Sequence, residues 1–120
     1  MSDTSPWPEE VRLKREERLL EIRFGDGASF SLPAELLRVE SPSAEVKGHG
    51  EGKTIVAGKR WVGIREVQPV GNYAIRILFD DGHDTGLYSW RYLYGLGRDR
   101  EKLWADYLTA LAARGLDREL

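Results

Sequence analysis

His49 and His83 are the only imidazoles in this chain, and it contains no cysteine. That pair of facts narrows the chemistry at once. Without thiols there is no disulfide, no cysteine-held zinc or iron–sulfur cluster and no thiol nucleophile. A two-histidine-one-carboxylate iron site needs both imidazoles together with an acid such as Asp84, but His49 sits in a glycine-rich stretch that nothing in the sequence ties to His83. His83 stands in Gly82-His83-Asp84-Thr85-Gly86, directly after a tight turn and close to Asp80, Asp81 and Asp84. A histidine so placed serves as a ligand, as a base, or as a hydrogen-bonding residue of a hairpin. The spacing favours the last.

The other motifs are incomplete. Gly48-His49-Gly50-Glu51-Gly52-Lys53-Thr54 ends like a phosphate-binding loop, but Lys47 stands where the motif needs its first glycine, and a strand signal rather than a long helix follows. It reads as a surface loop. No Gly-x-Ser-x-Gly elbow accompanies the Ser, His and Asp residues present. Glu9-Glu10 and Glu16-Glu17 read as solvated charge, and they dilute the field of Arg12, Lys14, Arg15 and Arg18. Tyr88, Trp90, Tyr92 and Tyr94 are divided between core packing and partner contact, the two uses of large aromatics.

Periodicity supplies the elements that position these residues. Leu20, Ile22 and Phe24 alternate with Leu19, Glu21 and Arg23, a strand with one apolar face. Gly25-Asp26-Gly27 makes a tight turn, Ser29–Leu32 returns, and Pro33 opens a short helix over Ala34–Val39. Residues 40–60 read as loop, with a short strand at Thr54–Ala57. Trp61–Val67 and Tyr73–Phe79 are strands, Asp81-Gly82 is a second turn, Thr85–Tyr88 returns, and Ser89 caps a helix over Trp90–Leu96. Leu103, Trp104, Tyr107, Leu108 and Leu111 form an amphipathic stripe in a last helix, Asp99–Arg114, with Asp99 as N-cap and Gly115 as stop. Asp26 and Asp81 lie 55 residues apart. The expected fold is therefore α+β: a small antiparallel β-sheet built from two strand–turn–strand–helix units, with helices on one side and a C-terminal amphipathic helix.

Composition agrees with one soluble globular domain. The chain has 120 residues, 41% hydrophobic and 32% charged, enough to bury its own core and too ordered in pattern for disorder throughout. A net charge of -2, from 18 basic and 20 acidic residues, disfavours a phosphate-backbone binder. Met1–Pro6 has no apolar core for a signal peptide, and no apolar run approaches the ~18 residues of a membrane span. The expectation is a cytoplasmic protein with no membrane and no nucleic acid among its partners. Residues 1–8 read as a flexible lead-in.

Three blocks in combination carry a family resemblance: Leu36-Leu37-Arg38-Val39-Glu40-Ser41-Pro42-Ser43-Ala44-Glu45, Pro69-Val70-Gly71-Asn72-Tyr73-Ala74, and Phe79-Asp80-Asp81-Gly82-His83-Asp84-Thr85-Gly86-Leu87-Tyr88-Ser89-Trp90. They resemble the DUF971 family, also called the gamma-butyrobetaine hydroxylase-like N-terminal domain. The resemblance implies a small α+β domain over residues 9–97, with 98–120 as a C-terminal helical extension. In the carnitine-pathway hydroxylases such a domain precedes a separate oxygenase domain. Other relatives are fused to P-loop iron–sulfur carrier proteins, and the stand-alone members are bacterial. In the hydroxylases the domain holds structural zinc through a Cys-x-Cys-x-x-Cys run and a distant histidine. The corresponding residues here are Ser41, Ser43 and Val46, with His83 at the histidine. Serine hydroxyls are poor zinc ligands and valine is none, so the resemblance implies that the family's zinc site is lost. Hydroxylase activity does not transfer with the fold.

The functional expectation is a non-catalytic accessory or protein-interaction domain with no cofactor. Its expected contact face is His83, Asp84, Tyr88 and Trp90 together with the 41–54 loop, and its partner is another protein. The apolar stripe of the last helix equally suits packing on the domain or pairing with a second copy. The rival expectation is a metal-binding protein that uses His83 to hold iron or zinc and is linked to iron–sulfur protein maturation. A small enzyme has no sequence feature in its favour.

Overall fold

A computed structural model describes residues 6–43 and 55–119. Val46, His49 and the phosphate-loop-like stretch ending at Thr54 lie outside the described residues. The elements run β1 (Pro8–Lys14), β2 (Leu19–Phe24), β3 (Ser29–Pro33), α1 (Ala34–Val39), β4 (Ile64–Val70), β5 (Ala74–Phe79), β6 (Leu87–Ser89), α2 (Trp90–Arg98) and α3 (Arg100–Ala113). The order is thus β-β-β-α twice, followed by one more helix.

Each unit is organised by its Asp-Gly turn. Gly27 and Gly82 both take φ +92, a conformation that costs other residues steric strain. The turns set the register of the strands beside them: Leu20 faces Leu32 and Ile22 faces Phe30, while Ile75 faces Tyr88. Period-2 alternation then sends Leu20, Ile22 and Phe24 inward from β2, and Ile75, Ile77 and Phe79 inward from β5.

The α+β class and the C-terminal helix are as expected, but the strands are divided differently. They form two three-stranded antiparallel sheets, β1-β2-β3 and β4-β5-β6, in place of a single sheet. β1 is an additional strand before the first pair, whereas β4 corresponds to the strand expected over Trp61–Val67. β1 accommodates Glu9, Glu10, Arg12 and Lys14 because charged side chains on an edge strand are solvated and cost little. Trp61 lies before β4, in a turn closed by the Val62 N–H donating to the Lys59 carbonyl at 3.1 Å. Ile55–Ala57 is not a strand.

Both sheets drain into one core. It contains Leu20, Ile22, Phe24 and Leu36 from the first unit and Ile77, Phe79, Tyr88 and Leu93 from the second. Helix α2 of the second unit lies against β3 of the first, where Gly97 is required: a Cβ there would fall inside the Phe30 ring. Tyr94 stacks edge-on with Phe24 and Phe30, at 5.0 and 5.3 Å between centroids.

Helix α3 closes the molecule. Tyr107 and Leu111 bury against Val39, and the Tyr107 hydroxyl donates to the Val56 carbonyl at 2.5 Å. Leu108, which the stripe placed with them, is 39% exposed. Asp99 is the N-cap residue but makes no capping bond; its carboxylate is held by Arg98 instead. Beyond Gly115 (φ +67) the chain folds back, so that Arg118 grips the buried Glu35 through two bonds of 2.7 and 2.9 Å. Among the described residues no helix is long and apolar enough to cross a membrane.

Candidate functional site

The residues singled out by type meet where α1 ends. His83 is buried, and its Nε2 lies 2.9 Å from Ser41 Oγ and 3.4 Å from Ser43 Oγ. Ser41 and Ser43 are buried too, and the Ser43 N–H donates to Ser41 Oγ at 3.4 Å. His83 and two serines some forty positions earlier in sequence therefore share one hydrogen-bonded cluster.

Local chemistry explains how each arrives there. After the second turn the Phe79 N–H donates to the His83 carbonyl, and the His83 N–H donates to Asp81 Oδ1 at 3.0 Å. The aspartate thus fixes the backbone from which the imidazole projects. Asp81 Oδ2 accepts from Arg38 Nε at 2.8 Å and pairs with Lys59 Nζ at 2.7 Å. Partial burial raises the Asp81 pKa, but the Lys59, His83 and Arg38 contacts outweigh it and hold the carboxyl at about 2. Arg38 Nη1 is buried without a hydrogen-bond partner among the described residues.

A short helix leaves its last carbonyls without helical partners. At the end of α1 the Glu40 and Ser41 N–H groups donate to the Leu36 and Arg38 carbonyls, and the second unit supplies two more donors. The Tyr88 hydroxyl donates to the Leu37 carbonyl at 2.5 Å, and the Tyr92 hydroxyl donates to the Glu40 carbonyl. Burial pushes both phenols above the ordinary tyrosine range, and the Glu40 charge adds to the shift at Tyr92. Gly86 completes the packing: a Cβ there would collide with Ser41 Oγ and crowd Tyr88.

Ser41 and His83 stand at the separation of a nucleophile and its base, but Ser41 is 0% exposed. Its hydroxyl is enclosed by the imidazole, Ser43 and Gly86. Nor does the donor set suit a zinc ion. Among the described residues it consists of one imidazole nitrogen and two neutral hydroxyls, without the thiolate charge that stabilises such a centre. The nitrogen that would face an ion is engaged with the serines. No group of three or more His, Cys, Asp or Glu side chains converges among the described residues.

Of the four expected contact residues, two face inward. Tyr88 is 0% exposed and His83 is buried, so both serve the interior. Asp84 is exposed, and Trp90 is half-buried with its indole N–H donating to the Asn72 carbonyl at 3.0 Å. Sequence reasoning overlooked Arg38, Lys59 and Tyr92. Nothing local marks the two cations; Tyr92 was read only as a member of the aromatic cluster.

A small α+β domain whose helix end is pinned by a histidine of a second unit is the class this geometry defines. The family model for the gamma-butyrobetaine hydroxylase-like N-terminal domain matches residues 11–94, and the chain belongs to that family. Two proteins solved in solution by NMR are similar to it at 46% and 49% identity, each with a TM-score of 0.83; the first match covers 96% of this chain and 91% of that one, the second 98% and 90%. A crystal structure of a DUF971-family protein of unknown function from Acidithiobacillus ferrooxidans is 40% identical, with a TM-score of 0.63, over 75% of this chain and 91% of the other. The comparison with curated proteins found no match.

Proposed function

We propose that this chain is a non-catalytic accessory module that works by contact with another protein and keeps its shape without the zinc that the family resemblance implies elsewhere. The observation that supports this is the Ser41–His83–Ser43 cluster. The one imidazole among the described residues is buried and used to hold the end of α1 to the second unit. That leaves a rigid scaffold whose remaining resource is its surface. The metal-binding alternative, iron or zinc on His83 in the service of iron–sulfur protein maturation, requires the imidazole to exchange two serine contacts for an ion.

Elemental analysis of the untagged protein, purified without chelators beside His83→Ala, tests the first half. Neither protein should carry stoichiometric metal; a near-stoichiometric ion lost in His83→Ala would favour the alternative. Affinity capture followed by reconstitution from purified components tests the second half. One protein should be enriched and should re-form the complex; no enrichment from any extract would overturn the interaction reading.

A further inference from the structure

Trp61 is 63% exposed, the most exposed large hydrophobic side chain among the described residues. Two guanidinium groups lie near its ring, Arg60 at 5.2 Å and Arg18 at 5.8 Å from the centroid. Arg18 comes from the β1–β2 turn and is the only non-glycine described residue at positive φ, +57. Its carbonyl accepts from the Ala34 N–H at 2.8 Å, which fixes the backbone from which the Arg18 side chain extends towards Trp61.

The surrounding charge is uneven. Arg12, Arg23, Arg38, Arg60, Arg98 and Arg118 each hold a carboxylate. Arg15, Arg18 and Arg65 make no ion pair among the described residues. These three line one depression of ≈ 440 Å³ with Glu16, Gly63, Ile64 and Asp80. Trp61 lines an adjoining depression of ≈ 210 Å³, and Asp80 belongs to both. On a chain of net charge -2, three of the arginines without a carboxylate partner among the described residues line the depression next to its most exposed tryptophan, with Arg15 Nε donating to the Arg65 carbonyl at 2.9 Å; Arg76, Arg100 and Arg114, also without an ion pair among those residues, do not line it.

We infer that this face docks an acidic peptide segment of a partner protein, an inference that rests on the interaction reading above. Guanidinium forks match carboxylates in geometry and charge. Tryptophan and arginine are the residues that dominate binding hot spots, and a ring flanked by cations is held ready for contact without a large loss of side-chain freedom. Glu16 and Asp80 decide against a nucleic acid. A continuous phosphate backbone would pass close to both, whereas a peptide can space its carboxylates to avoid them.

The test is fluorescence anisotropy of the full chain with labelled hexaglutamate, and with labelled hexalysine and oligothymidylate as controls. Hexaglutamate should bind saturably, and its affinity should fall as salt is raised. Trp61→Ala should weaken it by about tenfold or more. Arg18→Gln combined with Arg65→Gln should do the same, with the melting temperature confirming that each variant is folded. Absence of hexaglutamate binding, equal affinity in the variants, or tighter binding of oligothymidylate would overturn the inference. The two readings separate on one further measurement: if Trp61→Ala still captures the partner found with the unmodified chain, the interaction reading stands and this surface falls.

Discussion

The two Asp-Gly turns are built alike, bond for bond. In the first, the Phe24 N–H donates to the Ala28 carbonyl, the Gly27 N–H to the Phe24 carbonyl and the Ala28 N–H to Asp26 Oδ1. In the second, Phe79, Gly82 and His83 repeat those bonds, with Asp81 in the place of Asp26. The divergence begins one residue later. β3 resumes pairing at once, with Ser29 opposite Arg23, but β6 resumes only at Leu87, opposite Arg76. Residues 83–86 are released from the sheet and fold against the end of α1. Position 28 is alanine and position 83 is histidine, so the same turn displays a methyl group in one unit and a hydrogen-bonding ring in the other.

The second oxygen of each aspartate also differs. Asp26 accepts from the Tyr94 hydroxyl at 2.7 Å in an exposed position, while Asp81 accepts from Arg38 and pairs with Lys59. The first turn ends a hairpin; the second, with the same local chemistry, also ties α1 and the segment before β4 to the body. A turn fixes where a side chain starts, and the neighbours brought up by the rest of the fold fix what it does.

The largest expected effect probes whether the two units are one structure. Ile22 and Ile77 are buried at corresponding positions of β2 and β5. Ile22→Ala and Ile77→Ala should each cost about 2–5 kcal/mol. Because both side chains belong to one core, each variant should unfold in a single calorimetric transition. Two separated transitions would break the comparison and make the units independent.

A smaller effect sharpens the contrast between the turns. Gly86→Ala forces a methyl group into Ser41 Oγ and should cost about 1–3 kcal/mol in chemical denaturation, the usual range for overpacking. The loss should be accompanied by faster amide exchange at residues 41 and 83, and the amides of the first turn should be unaffected. Exchange that rises equally in both turns would show that the cluster is not a local staple.

The smallest effects are electrostatic. Asp81 is held at about 2 against an ordinary value of 3.8, so its contribution is fully present above about pH 4 and disappears as the pH falls through 2. Asp81→Asn should flatten that part of the acid unfolding curve, by about 1 kcal/mol once solvent screening is allowed for. Asp26 is also lowered, by the Tyr94 hydroxyl first and the Ala28 N–H second, but it is fully exposed, and Asp26→Asn should change the curve least of all. An equal change in the two variants would erase the distinction.

What the sequence determined by itself is local. The Asp-Gly pairs, the alternation in β2 and β5, the Ser89 cap, whose hydroxyl accepts from the Tyr92 N–H at 3.1 Å, and the span of α3 all depend on residues within a few positions of one another. The family blocks also brought Ser41, Ser43 and His83 to attention before any geometry was known. Other features needed the tertiary structure: the division into two sheets, the burial of Tyr88, the capping of α1 by Tyr88 and Tyr92, the convergence of Arg38 and Lys59 on Asp81, and the exposure of Trp61 beside arginines from two segments. Each of these joins residues distant in the chain, and its energy depends on which surfaces the core leaves open. Composition and spacing carry no record of that until the packing is complete.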